Sequence, residues 1–556
     1  MLIKQPDLGL NCLLPDDGKD LRETVYGSQN IIYENGIVRT PYGFAKLDLT
    51  TTPLDSGNPV LGIYQFRELD GFVHLLANTT QKIYVRDYNN STWNDITQTS
   101  LTMASEVKKP ISSAIIGHND TDIYIDDDAT KSNSYYHVIV CDGGNSNIQR
   151  WAGRYETDFA NLLGGGDYHD GTTHRAWQIG SFQNRIILIN AKEYSSSLGW
   201  IDNNQRVRWP QIGKLQSWTG TGSGFVDLID TGGTNLWSAP LGGQYIIYQT
   251  MGIWSLNYVG GTTVFYPVVQ VPDLGLLSHG LFTSKGNVHY FIGTDYNVYA
   301  YYGGTVLQKI GDKIKKYLQT DLNNEYNYSC RMSIGTDGKR LHIFITTSTS
   351  THPIKSYIMD LITGAWTMRD FAAKYSSGGI TAAYLPGAGT YTTGDTYQDE
   401  IDATLLYDLT GGAAYSSILD DVLAYPQLTI GDSAGWVYQF DETYALDQTT
   451  FQDCRHLTPV IDLQQPALFK RWPALSVVAC GSVGGAMQAS YRIGSFDTSD
   501  TGWTDFTFDL TSEYQEKTFW LNTSSQKIQF RLRDFSGKRF YVRSFEPVDP
   551  YGESNR

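Results

Sequence analysis

Five stretches of this chain can be laid over one another, and each reads strand, tight turn, strand, turn, strand. They begin at Phe72 (FVHLLANTTQKIYVRDYNNSTWNDI), Gln244 (QYIIYQTMGIWSLNYVGGTTVFYPV), Asn287 (NVHYFIGTDYNVYAYYGGTVLQKI), Arg340 (RLHIFITTSTSTHPIKSYIMDLITGAWTMRD) and Gln427 (QLTIGDSAGWVYQFDETYALD). In the third, Val288, Tyr290 and Ile292 alternate on one face, Gly293-Thr294-Asp295 turns the chain, and Val298, Ala300 and Tyr302 share a face of the next strand. Alternation with period two is the pattern of a half-buried strand. Two poorer copies lie at 111–153 and 176–218. Imperfect antiparallel units at roughly 40–50-residue spacing specify a β-propeller, here of about seven blades over residues 60–450. A row of meanders packed as sandwiches is the alternative.

The character of the chain changes near residue 455. KRWPALSVVACGSVGGAMQASYRIG and KIQFRLRDFSGKRFYVRSFEPV read as longer strands. Ile528, Phe530 and Leu532 face one way, while Gln529, Arg531 and Arg533 face the other. This predicts a β-sandwich over residues 451–556 with Arg531 and Arg533 pointing away from its core. Residues 1–59 are left as an extended arm, and the whole chain reads as all-β.

Composition narrows the function classes. The 556 residues include 58 acidic and 42 basic side chains, for a net charge of −16. That argues against a protein gripping nucleic acid over its whole surface, though not against one that lets it slide past. The cysteines (Cys12, Cys141, Cys330, Cys454, Cys480) are odd in number and scattered, without a C-x-x-C pair. They read as free thiols of a chain made in a reducing cytosol. The N-terminal stretch has no sustained apolar core, so no secretory signal is expected, and no apolar run approaches the roughly 18 residues of a membrane helix.

Several stretches look like chemistry. Gly431-Asp432-Ser433-Ala434-Gly435 spells G-x-S-x-G, the pattern of a nucleophilic serine. Such an elbow needs a strand before it and a helix after it, and WVYQFDE after Gly435 alternates as a strand. Ser433 is therefore read as a turn between blade strands, with no histidine in reach. Asp120, Asp122, Asp126, Asp127 and Asp128 are hard oxygen donors, but they lack the glycine and closing glutamate of an EF-hand and read as a solvated loop. Asp167, His169, Asp170 and His174 suit a metal in type but not in spacing. Trp93, Trp218, Trp254, Trp366 and Trp436 recur near hairpin ends, where large rings fill the wedge between blades. No P-loop, G-x-G-x-x-G or H-E-x-x-H is present. A glycosidase carboxylate pair remains open, but nothing in the sequence selects one. No catalytic, cofactor-binding or metal-binding residue is assigned, no cofactor is expected, and the chain is expected not to be an enzyme.

The order of segments resembles the tail nozzle and tail hub proteins of short-tailed bacteriophages. The opening NCLLPDDGKDLRETVYGSQNIIYENGIVRTPYGFAKL contains an N…G-x-x-R-x-x-x-G-F segment at Asn30, Gly36, Arg39, Gly43 and Phe44. SFQNRIILIN, Val207 to Trp209, QYIIYQTMGIWSLNY, the Ser278-His279 bend and NVYAYYGG follow in order, and KRWPAL and QFRLRDFSGKRFYVRSF resemble the closing domain. The resemblance implies a virion structural protein of the phage tail, made in the host cytoplasm. It implies a homo-oligomeric ring, six-fold by the resemblance, in which a propeller and a sandwich surround the DNA ejection channel. Its implied partners are copies of itself, a head-to-tail adaptor, other tail proteins including fibres, and genomic DNA passing without specific binding, with no membrane insertion. A propeller glycan hydrolase and a carbohydrate-binding adsorption protein are the competing readings.

Overall fold

A computed structural model describes residues 8–548, apart from segments 119–134, 163–173 and 392–420 and interruptions of at most four residues. Seven antiparallel sheets follow one another along the chain. Blade 1 joins Gly62–Arg67, Val73–Asn78, Ile83–Asp87 and Thr92–Asp95 in sequence order, and blade 2 joins Ser112–His118, Tyr135–Cys141, Gln149–Trp151 and Ala160–Asn161. Blade 3 runs from Arg175–Phe182 to Gly224–Asp227, blade 4 from Asn235–Leu241 to Phe265–Pro272, and blade 5 from Phe282–Lys285 to Leu307–Lys309. Blade 6 contains Arg331–Ile334, Arg340–Ile345, Lys355–Asp360 and Trp366–Asp370. Blade 7 contributes Ile380–Tyr384, Thr429–Asp432 and Val437–Asp441, and takes its fourth strand, Gly43–Lys46, from near the start of the chain.

The apolar faces meet between blades. Trp151 packs with Phe66 and Val138 between blades 1 and 2, Trp218 with Ile139 and Leu188 between 2 and 3, and Trp254 with Ile189 between 3 and 4. Trp366 lies in the core shared by blades 5 and 6. The ring closes where Ile63, Leu75 and Ala77 of blade 1 meet Ala382 and Val437 of blade 7. The tryptophans thus fill wedges between sheets, each burying a large apolar ring. The fold is a seven-bladed propeller followed by a β-sandwich.

The repeat units of the sequence are out of step with the blades by one strand. In all five well-formed units, the innermost strand lies upstream of the apparent start. Gly62–Arg67 precedes Phe72, and Arg331–Ile334 precedes Arg340. The inner strands face one another around the axis, and those of blades 4, 5 and 7 mix single large residues with small and polar ones (WSAP, FTSK, ITAAY), so they lack the sustained large-apolar alternation that marks a strand. The unit at Gln427 reads as supplying its own third strand, but that position is filled by Gly43–Lys46.

The sandwich does not consist of residues 451–556 alone. One sheet orders Cys454–Leu457, Gln529–Asp534, Ala486–Arg492 and Thr504–Asp509. The other orders Ile32–Glu34, Ile37–Arg39, Phe540–Pro547, Lys470–Gly481 and Gln515–Ser525, so two of its strands come from the N-terminal region. Ile31, Tyr33 and Val38 join Trp472, Phe530 and Phe545 in the core. Nor is the described part of residues 1–59 an arm standing apart. Gly9–Leu10 extends blade 6 in parallel with Trp366–Asp370, Glu23–Thr24 pairs in parallel with Gly9–Leu10, the next two strands enter the sandwich, and Gly43–Lys46 closes blade 7. Gly9 has φ of 68°, and a Cβ there would lie 2.4 Å from the Trp366 carbonyl oxygen. Only glycine accepts both the left-handed conformation and this approach.

Phe530 and Leu532 enter the sandwich core while Arg531 and Arg533 turn to the opposite face. Arg531 is nevertheless buried there. Its guanidinium stacks on Trp503 at 4.6 Å and donates to Asp505 at 3.1 Å, while Arg492 lies 4.7 Å from the same ring. Arg533 donates to Asp453 at 2.9 Å.

Candidate binding cavity on the propeller axis

The seven inner strands enclose a cavity of about 690 Å³. That size holds a small molecule. Its lining contains Ser113 from blade 2, Ser181 from blade 3, Trp237 from blade 4, Thr283 and Lys285 from blade 5, Arg331 from blade 6 and Tyr384 from blade 7. Among the described lining residues there are two cations, Lys285 and Arg331, and no carboxylate. A two-carboxylate glycosidase mechanism therefore finds no acid and no nucleophile in this lining.

The wall running from blade 2 through blade 3 to blade 4 is held by a hydrogen-bonded set. The Ser238 hydroxyl donates to the Gln178 side-chain oxygen and lies 2.8 Å from the Tyr245 hydroxyl, and the Ile179 amide donates to the Ser112 hydroxyl at 3.0 Å. Gly180 makes this possible, because a Cβ there would fall 1.8 Å from the Tyr245 hydroxyl oxygen. Gly180→Ala is expected to lower stability by about 1–3 kcal/mol through overpacking. Adding Tyr245→Phe should recover part of the loss by removing the clashing atom. Urea melts of both variants check this, and an unchanged Gly180→Ala midpoint refutes it.

Blades 4 and 5 are joined by a neutral histidine. The Pro240 carbonyl oxygen can only accept, so His289 Nε2 donates to it at 3.0 Å and Nδ1 accepts from Tyr248 at 2.8 Å. Burial pushes His289 down to about 4.

His279 and Arg331 stand together at the leading end of the inner strands. His279 is 6% exposed, lines the cavity, and its Nε2 has no hydrogen-bond partner among the described residues. The Trp177 ring lies edge-on to it at 5.9 Å. Arg331 Nη1 donates to the Tyr328 and Cys330 carbonyl oxygens, both at 2.8 Å. No carboxylate within ion-pair distance of Arg331 is found among the described residues. Burial, followed by the Arg331 charge, holds His279 well below the usual imidazole range, and lost solvation brings Arg331 down to about 10. No local pattern links the bend before blade 5 to the first residue of blade 6, which meet only on the folded axis.

The other candidates fall elsewhere. Ser433 lies in the turn between Thr429–Asp432 and Val437–Asp441, and its hydroxyl accepts from the Gly379 amide at 3.1 Å. Asp432 is buried beside it and accepts from the Ala434 and Trp436 amides, both at 2.9 Å, which fixes the turn. Asp120 to Asp128, Asp167, His169 and Asp170 lie outside the described residues. His174 is buried against Trp218 at 4.7 Å. Among the described residues no group of three or more His, Cys, Asp or Glu is placed to hold a metal ion. All five cysteines are free thiols. No helix among the described residues is long and apolar enough to cross a membrane.

No family model and no curated protein matches the chain. Solved structures do. One is PorZ, a bacterial surface component of the type-IX secretion system of Porphyromonas gingivalis, with 9% identity and a TM-score of 0.34. That match covers 84% of this chain, which spans 46% of PorZ. An exo-β-1,3-galactanase from Phanerochaete chrysosporium matches with 8% identity and a TM-score of 0.28, covering 91% of this chain and 100% of that one. A family 43 arabinoxylan arabinofuranohydrolase from Bacillus subtilis matches with 8% identity and a TM-score of 0.22, covering 91% and 99%. At these scores the likeness assigns no activity to this chain. It does correct the expectation that the chain is not an enzyme: two of these structures are propeller glycoside hydrolases, so this architecture does not exclude catalysis.

Proposed function

We propose that the protein is a structural subunit of a bacteriophage tail that assembles into a closed ring around the DNA ejection channel. The reading starts from the order of segments shared with tail nozzle and tail hub proteins, and one structural observation supports it. The sandwich has an eleven-residue edge strand, Gln515–Ser525, whose one described neighbour is Lys470–Gly481. Trp520 on that strand and Phe469 beside its neighbour are 67% and 74% exposed. A long free edge bearing large apolar side chains favours association with another chain. The axial cavity of one propeller suits a small molecule, so a DNA channel would lie between subunits. An acidic lumen would let a duplex, with one phosphate charge about every 1.7 Å of axis, pass without sticking.

Negative-stain images and mass photometry of the purified chain test this. A closed ring, six-fold by the resemblance, is expected, and Trp520→Glu with Phe469→Glu should reduce it to monomers. A wild-type protein that stays monomeric at every concentration and in assembled tails, or a lumen lined mainly by Lys and Arg, would overturn the reading. Release of sugars from a bacterial surface polysaccharide by the pure monomer would favour the hydrolase instead.

A further inference from the structure

The leading end of the axial cavity is built in a way that packing alone does not require. Seven inner strands converge there from different blades, and two polar side chains are left incompletely used. A guanidinium offers five N–H donors in a planar fork. The recorded bonds of Arg331 engage one nitrogen, Nη1, with two backbone carbonyls. His279 keeps an unpartnered Nε2 in a nine-tenths buried ring. A buried polar atom without a partner costs free energy, and that cost is relieved when a ligand supplies the partner. Gly280, next in sequence, brings the two groups together: a Cβ at that position would lie 2.0 Å from the Cys330 carbonyl oxygen and 2.7 Å from Arg331 Nη1. The rest of the wall adds hydroxyls from Ser113, Ser181 and Thr283 on three further strands.

We infer that this cavity is a binding site for a small hydroxylated carboxylate of the sugar-acid class, its carboxylate held between Arg331 and His279 and its hydroxyls along Ser113, Ser181 and Thr283. The charge points to an anion: in a chain of net charge −16 this end of the cavity carries the Arg331 cation, and among the described lining residues there is no acid. A cleft with one sign of charge and low-dielectric walls concentrates the opposite ion. The planar fork of Arg331 matches a carboxylate. The hydroxyl row suits a hydroxylated body better than an apolar one. Lys285 lies at the far end of the blade 5 inner strand, Phe282–Lys285, and donates to the Gly338 carbonyl oxygen, so it is not part of this end. The site is independent of whether the chain forms rings.

Isothermal titration calorimetry of the full chain with D-galacturonate, D-galactose and inorganic phosphate tests the proposal. Galacturonate is expected to bind at least ten-fold more tightly than galactose, which lacks the carboxylate, and than phosphate, which lacks the hydroxylated body. Arg331→Gln should weaken galacturonate at least ten-fold, Thr283→Val should weaken it less, and Lys285→Gln should change it less than two-fold. Absence of binding by all three probes overturns the proposal. So does equal affinity for galactose, or full affinity in a folded Arg331→Gln protein. Phosphate binding as tightly as galacturonate would reject the sugar-acid class. Should Arg331→Gln fail to fold, the wild-type comparison among the three probes decides the matter.

Discussion

Removing residues 1–46 is expected to leave a protein that cannot close either domain, and Phe44→Ala alone should lower stability by about 3–5 kcal/mol. The first effect follows from strand order. Blade 7 has three strands of its own and receives its fourth from Gly43–Lys46, paired with Val437–Asp441 in the register Phe440↔Phe44. The same stretch of chain supplies Ile32–Glu34 and Ile37–Arg39 to the sandwich and Gly9–Leu10 to blade 6. Its loss exposes a sheet edge in each of three places, and bare edges recruit other chains. The second effect follows from packing. Phe44 is fully buried, its ring 5.2 Å from Tyr438 and 5.1 Å from Phe440, in the core that also holds Phe344 of blade 6. Truncation to alanine leaves a cavity at the seam between blades 6 and 7. Hydrogen exchange should quicken first in Val437–Asp441, with the Phe44→Ala melting transition shifted down. Exchange unchanged there, or a midpoint within error of wild type, would show that the ring closes by other means.

The pattern Asn30, Gly36, Arg39, Gly43, Phe44 was visible in the sequence, but what it does was not. Asn30 takes a left-handed conformation at φ of 55°, donates its backbone amide to the Met368 carbonyl oxygen at 2.8 Å and accepts from the Asp370 amide at 2.9 Å. Arg39 donates to Glu34 at 2.7 Å, and Glu34 also reaches Arg340 of blade 6 at 3.3 Å. Met368, Asp370 and Arg340 lie hundreds of residues away from the groups they meet, and a local pattern carries no record of them. Period-two alternation made the middle strands legible, as at Val288, Tyr290 and Ile292, because each has a wet and a dry face. Inner strands such as Ile380–Tyr384 have neither, since Ile380 enters the core between blades 6 and 7 while Ala382 enters the one between blades 7 and 1. The direction of Arg531 could be read from its neighbours Phe530 and Leu532. Its cover, Trp503, could not, because that residue precedes Thr504–Asp509, which lies beyond Ala486–Arg492 in the sheet. His279 and Arg331 were invisible as a pair for the same reason: only the closing of the ring brings them to one end of one cavity.

Arg369→Met is expected to destabilise the protein by about 3–5 kcal/mol at pH 8, and by less at pH 5. Arg369 is buried beneath Phe371 and Phe440, with its charge centre 4.8 and 4.9 Å from the rings. It donates to the Tyr42 carbonyl oxygen and to Asp447, which also accepts from Gln452 at 3.0 Å. The group therefore ties blade 6, the strand that closes blade 7 and the lead into the sandwich. Replacing the arginine leaves an uncompensated carboxylate in a dry site, and that residual charge is the main cost. Its protonation sets the pH dependence. Burial raises Asp447 to about 6, against the pull of Arg369, while an unfolded aspartate titrates near about 4. Between those values the folded state binds more protons than the unfolded one, so this group's contribution to stability falls as pH rises through the window. Without the arginine the folded value moves higher still, the window extends above 6, and the penalty grows from pH 5 to pH 8. Asp447→Asn in the Arg369→Met background removes the charge and should recover most of the loss at pH 8, with little change at pH 5. Urea melts of the single and double variants at both pH values make the comparison. A penalty for Arg369→Met that is the same at both, or a double variant no more stable than the single one at pH 8, would place the cost in lost packing around the aromatic rings and not in a stranded charge.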